Sequence, residues 1–96
     1  MELKVKAQAG SFESSDVLIM VEPLDTGAGR QIELQSIVMK QFGEELLKQI
    51  HNELDQWEVS DVRIIVNDKG ALSPTISARL ETALKRSAGL QSGTLI

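Results

Sequence analysis

Leu3, Val5 and Ala7 alternate with Lys4, Lys6 and Gln8 at the start of the chain. A period of two places one set on each side of a strand, so residues 3–9 predict an edge strand with one wet face. Val17-Leu18-Ile19-Met20-Val21 is a short apolar run rich in β-branched residues. It predicts a second strand, buried on both faces. Gln31-Ile32-Glu33-Leu34-Gln35 alternates cleanly and predicts a third. Between the first two, residues 10–16 hold Gly, three Ser, Glu and Asp, which is turn chemistry. Residues 23–30 hold Pro, Asp, Thr and two Gly, and predict a mobile loop between hairpin strands.

The period then changes. Phe42, Leu46, Ile50, Leu54 and Trp57 recur at three- and four-residue steps, the stripe of an amphipathic helix. Ser36 suits its N-cap. Residues 59–66, with Val62, Ile64, Ile65 and Val66, predict a fourth strand, and Asn67-Asp68-Lys69-Gly70 a turn. Ser73-Pro74 suits the start of a second helix, with Ser as the cap and Pro first inside. Ile76, Leu80, Ala83 and Leu84 face inward along it, and Gly89 can stop it. Residues 90–96 suit a flexible tail. The order β-β-β-α-β-α predicts an α+β two-layer sandwich: a mixed four-stranded sheet covered on one face by two helices. The first three strands are expected to form an antiparallel meander. The unit at 31–66 is expected to cross over right-handed and place its strands parallel. Residues 1–89 make one domain.

Composition narrows the function classes. The 96 residues are 42% hydrophobic but only 3% aromatic, the aromatics being Phe12, Phe42 and Trp57, so the core must rest on Leu, Ile and Val. A net charge of −4 argues against a nucleic-acid binder, whose affinity comes from Lys and Arg on phosphates. It suits a module docking on a basic partner surface. The absence of Cys removes disulfides and thiolate metal sites together. The N-terminal residues lack the apolar segment of a signal peptide, and no apolar run approaches the ~18 residues of a membrane span. The expected compartment is the cytoplasm.

Chemistry-bearing residues are few. His51 has no second His or Cys near it in sequence and reads as a structural histidine rather than a metal ligand. Asp61 and Asp68 flank the fourth strand and read as turn-makers rather than a catalytic pair. Asn67-Asp68-Lys69-Gly70 lacks the Gly-rich cradle of a phosphate site. Glu13-Ser14-Ser15-Asp16 sets two hydroxyls between two carboxylates in a turn ahead of a strand. It is either an ordinary turn or an exposed acceptor for a phospho-linked group, which needs only a reachable hydroxyl. A triad nucleophile would need a base and a group to orient it, and His51 is the chain's one histidine. No catalytic or metal-binding residue is assigned.

Four segments in order carry a resemblance over residues 5–89: Ala9-Gly10-Ser11-Phe12-Glu13-Ser14-Ser15-Asp16-Val17, Gln41-Phe42-Gly43, Asn67-Asp68-Lys69-Gly70-Ala71-Leu72 and Ala78-Arg79-Leu80-Glu81. Together they resemble the acyl carrier protein, or gamma subunit, of citrate lyase. The resemblance implies a non-catalytic carrier. Its Ser14 would bear a covalent prosthetic group, 2'-(5''-phosphoribosyl)-3'-dephospho-CoA, through a phosphodiester. The thiol of that group would carry acetyl and citryl thioesters while citrate is cleaved to acetate and oxaloacetate. Implied partners are the alpha (acyl transferase) and beta (citryl lyase) subunits and a prosthetic-group transferase, with no nucleic acid and no membrane. Relatives often carry Gly where this chain has Ser15, which leaves a second hydroxyl beside the first. Asn67 stands where Asp is common, and Ser73-Pro74 replaces the usual Asp-Cys. In this scheme Glu13 and Asp16 fix the turn through side-chain hydrogen bonds, and Gly10 supplies a backbone angle other residues resist. Lys4, Lys6 or Arg30 are candidates to pair with cofactor phosphates, and the loop 23–30 to move and admit partners. The homologous carrier of malonate decarboxylase is the near alternative. A small α+β interaction module with no cofactor is the alternative from another class.

Overall fold

Val17, Ile19 and Val21 alternate with Leu18, Met20 and Glu22 along strand β2 (Val17–Pro23), and the first set is wholly inaccessible to solvent. That alternation sets the architecture of the computed structural model, which describes residues 1–36 and 39–90. The remaining elements are β1 (Ala7–Gly10), β3 (Arg30–Ser36), α1 (Met39–Gln56), β4 (Val62–Asp68) and α2 (Ser73–Ser87). They follow the predicted order. The four strands form one mixed sheet, and both helices lie on one face of it, α2 over β1 and β2, α1 over β3.

The register shows which residues share a row. Ala9 pairs with Ile19, Ile19 with Val66 and Leu34 with Val66, so these four side chains point at the helices. They meet Leu46, Ile50 and Leu54 of α1 and Ile76, Leu80, Ala83 and Leu84 of α2. The buried core is aliphatic throughout, as the low aromatic content requires. On the opposite face Leu18 is also buried, whereas Met20 and Glu22 are half-covered, so β2 is dry on one side and only partly so on the other.

Several expectations change in the structure. The meander does not form: the order is β1-β2-β4-β3, with β4 antiparallel to β2 and parallel to β3. Strands β3 and β4 are parallel neighbours, as expected of a strand–helix–strand unit. The segment 24–29 is long enough to step over one intervening strand, about 10 Å at sheet spacing, so it does not force β2 and β3 together. The edge strand begins at Ala7, not at residue 3. Upstream, the amides of Lys4 and Val5 donate to the carbonyl of buried Ser87, whose hydroxyl donates back to the carbonyl of Val5. These bonds strap the first residues to the end of α2.

Phe42 leaves the core stripe and is half exposed. Ser36 ends β3 and donates its hydroxyl to Asp68, while the residues between it and Met39 lie outside the described ones. Leu72, not Ser73, is the N-cap of α2, with no side-chain cap bond. Gly89 does end α2: its φ is 78°, its amide donates to Arg86, and the amide of Leu90 donates to Lys85, a Schellman closure. Of the tail expected over 90–96, all beyond Leu90 lies outside the described residues. Among the described residues no helix is long and apolar enough to cross a membrane.

Candidate functional site

The loop between β1 and β2 leaves the hydroxyls of Ser14 and Ser15 exposed and outside its hydrogen bonds. Gly10 enters it at a φ of 100°, and a Cβ placed there would lie 1.7 Å from the carbonyl oxygen of Val17. Only glycine lets the two strands close this tightly. The Ser11 amide then donates to that same carbonyl (3.2 Å). The Asp16 amide donates to the carbonyl of Glu13 (3.1 Å), which closes a four-residue turn with Ser14 and Ser15 at its corner. Ser15 sits at a φ of 64°, the left-handed region that the third residue of a type II turn must adopt. A glycine would adopt this angle without strain.

Asp16 is the hub. Its Oδ2 accepts from the Ser11 hydroxyl (2.6 Å) and from Arg79 Nη2 (3.2 Å). Its Oδ1 accepts from the Val17 amide (2.7 Å) and from Arg79 Nε (3.1 Å). The guanidinium thus grips the carboxylate with two parallel bonds, the arrangement that fixes orientation as well as charge. The Ser11 hydroxyl foremost, then Arg79, then the Val17 amide hold the Asp16 carboxyl down to about 2. Two further bonds tie the loop to the turn between β4 and α2: Ser15 amide to Lys69 carbonyl (2.8 Å) and Lys69 amide to Asp16 carbonyl (2.9 Å). That turn is itself held by buried Asp68, which accepts from the Ser36 hydroxyl and from the Gly70 and Ala71 amides.

Ser14 takes no part in this network. It is exposed, and its hydroxyl forms no hydrogen bond with any described residue. Glu13 contributes through its backbone carbonyl, not through its carboxylate as expected. The geometry therefore holds a serine at a turn corner with its oxygen facing solvent, anchored by the residues on both sides. Nothing near it activates the hydroxyl. His51 belongs to the other end of the sheet, where its Nδ1 lies 3.1 Å from Arg30 Nη1. A nucleophilic triad is not assembled. A covalent group can be held here, provided that the enzyme attaching it supplies the activation.

The other candidates separate. Asp61 and Asp68 bracket β4 at its two ends, about 23 Å apart along a strand, and each makes a turn. Lys4, Lys6 and Arg30 also lie at the end away from Ser14. Lys6 pairs with Glu22, and Arg30 is spent on the Val59 carbonyl, Asp55 and His51. The cations beside the serine loop are Lys69 and Arg79 instead, both missed at the level of sequence. The clue to Arg79 was its place next to inward Leu80 on a helix face, opposite an acidic turn. The loop 24–29 is tied down rather than free: Asp61 Oδ1 accepts from the amides of Gly27 and Gly29, and its carbonyl accepts from Leu24. Among the described residues no cluster of three or more His, Cys, Asp or Glu could hold a metal ion.

Residues 4–87 match a family model described as an acyl carrier protein, the malonate decarboxylase delta subunit. The citrate lyase acyl carrier protein of Latilactobacillus sakei is 46% identical over 89 residues, covering 93% of this chain and 86% of that one. The one from Edwardsiella ictaluri is 38% identical over 92 residues, covering 96% and 93%. Among solved structures, a chain of a Pseudomonas malonate decarboxylase hetero-tetramer superposes with a TM-score of 0.71 at 21% identity, over 86% of this chain and 84% of that one. That likeness supports the fold. The relatives are carrier subunits rather than catalytic ones, and the serine loop, the fold and the similarity together place this chain in the family of citrate lyase acyl carrier proteins.

Proposed function

We propose that the chain is the acyl carrier subunit of citrate lyase and that Ser14 is the residue bearing its prosthetic group. The observation that carries this reading is the exposed, unbonded hydroxyl of Ser14 at the corner of a turn that Gly10, Asp16 and Arg79 hold in place. Ser14 Oγ would become the serine oxygen of the phosphodiester to phosphoribosyl-dephospho-CoA. That group, when attached, supplies a thiol able to carry acyl groups as thioesters. The chain's own residues hold the attachment point still. Gly10 closes the hairpin beneath it, Asp16 and Arg79 brace one side, and the Lys69 carbonyl holds the amide of Ser15. Lys69 and Arg79 would be the cations nearest phosphates bound at Ser14, with Arg79 keeping its grip on Asp16. The alpha and beta subunits of the lyase would perform the chemistry, and a dedicated transferase would load the carrier, all in the cytoplasm.

The malonate decarboxylase carrier is a second reading, favoured by the description of the matching family model. The lyase reading has the support of relatives at 38 and 46% identity, each named for citrate lyase. The subunits that co-purify with the chain decide between them.

The decisive experiment is the intact mass of the protein from its native host grown on citrate, with Ser14→Ala beside the wild type. The expected outcome is an added mass matching the phosphoribosyl-dephospho-CoA group, absent from the variant. An unmodified wild type from cells with active citrate lyase overturns the reading. Modification that persists in the variant moves the acceptor to Ser15.

A further inference from the structure

The chain has two phenylalanines, and neither is in the core. Phe12 is 63% exposed, Phe42 50% and Leu72 74%. All three lie at the Ser14 end of the molecule. Phe12 is in the serine loop itself. Leu72 follows the turn that the loop is bonded to through Lys69. Phe42 lies in the first turn and a half of α1 and borders, with Asp68, Ala71 and Ile76, a cleft of about 450 Å³ between α1 and that turn. Each large apolar side chain left in water forgoes the stabilisation that burial would return. Aromatic side chains concentrate at the centres of protein interfaces. Among the described residues the exposed charges beside the rings include Glu13 next to Phe12 and Glu44 and Glu45 beyond Phe42, with Lys69 on the turn and Arg79 already paired to Asp16.

We infer that Phe12, Phe42 and Leu72 form the face by which the carrier seats on the enzyme subunit that processes its acyl group. The complementary rim is apolar with basic residues around it, and an apolar side chain of that subunit enters the cleft beside Phe42. The inference rests on Ser14 being the attachment point. A group rooted there enters an active site only when the surface around Ser14 meets its mouth, so the exposed rings and the serine must face the same partner. Affinity comes from the apolar side chains, and the acidic rim orients the approach and makes it sensitive to salt.

The test uses the full-length carrier without its prosthetic group and the purified alpha and beta subunits of the same lyase, with binding followed by titration calorimetry. Phe12→Ser, Phe42→Ser and Leu72→Ser are compared with Val5→Ser, which alters an equally exposed residue at the far end of the molecule. The melting temperature of each variant confirms that it is folded. Each of the first three variants should weaken binding to at least one subunit about tenfold, while Val5→Ser stays within about twofold of wild type. Unchanged binding by these three variants, or an equal loss in Val5→Ser, overturns the inference. The intact mass of the same variants from the native host separates the two proposals: a loaded Ser14 with unaltered binding rejects the docking face and keeps the carrier.

Discussion

The two ends of the sheet use the same devices and leave different remainders. At the end holding the segment 24–29, Asp61 collects two loop amides, and Arg30 spends its guanidinium on Val59, Asp55 and His51. At the other end Asp68 collects two turn amides and a hydroxyl, and Arg79 grips Asp16. In both, an aspartate organises backbone donors and an arginine crosses between elements. At the first end the arrangement closes on itself. At the second it leaves the hydroxyls of Ser14 and Ser15 and three large apolar side chains facing outward. The far end exposes Val5 and Leu90, but neither lies in the loop that Asp61 organises, whereas Phe12 sits in the serine loop itself.

The sharpest way to break the comparison is through its glycines. Gly10→Ala puts a methyl into the Val17 carbonyl at a φ of 100° and should cost on the order of 3 kcal/mol, read from urea unfolding. Gly29→Ala at the other end meets open space at a φ of 77° and should cost about 1 kcal/mol. Equal losses would mean that the two ends are closed with similar tightness. Next is Asp68→Ala, which strands three donors beside a buried site. A loss of about 2 kcal/mol is expected, against about 1 kcal/mol for the more exposed Asp61→Ala.

Acid sharpens the comparison further. The Asp16 carboxyl is held below its ordinary value, so its contribution is complete above about pH 4 and fades as the pH falls toward about 2. In Asp16→Asn the part of the acid-induced loss of melting temperature that falls within this window should shrink. An unchanged acid profile would show that the Ser11 and Arg79 contacts do not hold the loop in solution. The smallest effect is expected from Ser15→Gly. Relief of the left-handed φ should outweigh the added chain entropy by about 0.5 kcal/mol, and the mass added at Ser14 should persist.

Much of this was legible in the chain itself. The β-branched run Val17–Val21, the alternation in Gln31–Gln35, and the three- and four-residue steps through Leu46, Ile50 and Leu54 are local signals, and the elements appear where they pointed. Gly10 and the serine loop were legible for the same reason, since a tight hairpin must show its turn residues in sequence. Strand order was not. The insertion of β4 between β2 and β3 is a long-range pairing, and the one local hint was a connection long enough to skip a strand. Phe42 fits the helical stripe but lies in the first turns of α1, ahead of the buried row that begins at Leu46. Lys4, Lys6 and Arg30 were attractive as cations, but their positions ahead of β1 and at the start of β3 put them about a strand's length from the serine. Arg79 became visible only once α2 was laid across β1 and β2.

The bonds on either side of Ser14 also govern how a tethered group would move. With Gly10 wedged beneath the loop and the Ser15 amide fixed to Lys69, the serine is a stationary pivot rather than the end of a flexible strand. An arm turning on such a pivot has its radius set by its own length alone, and the body of the protein bars it from the space behind. Confinement to the outward hemisphere raises its local concentration about twofold over that of an arm free on all sides. Delivery to successive active sites then becomes a matter of rotating the arm or re-seating the whole domain, because the hinge that a slack loop would offer has been removed.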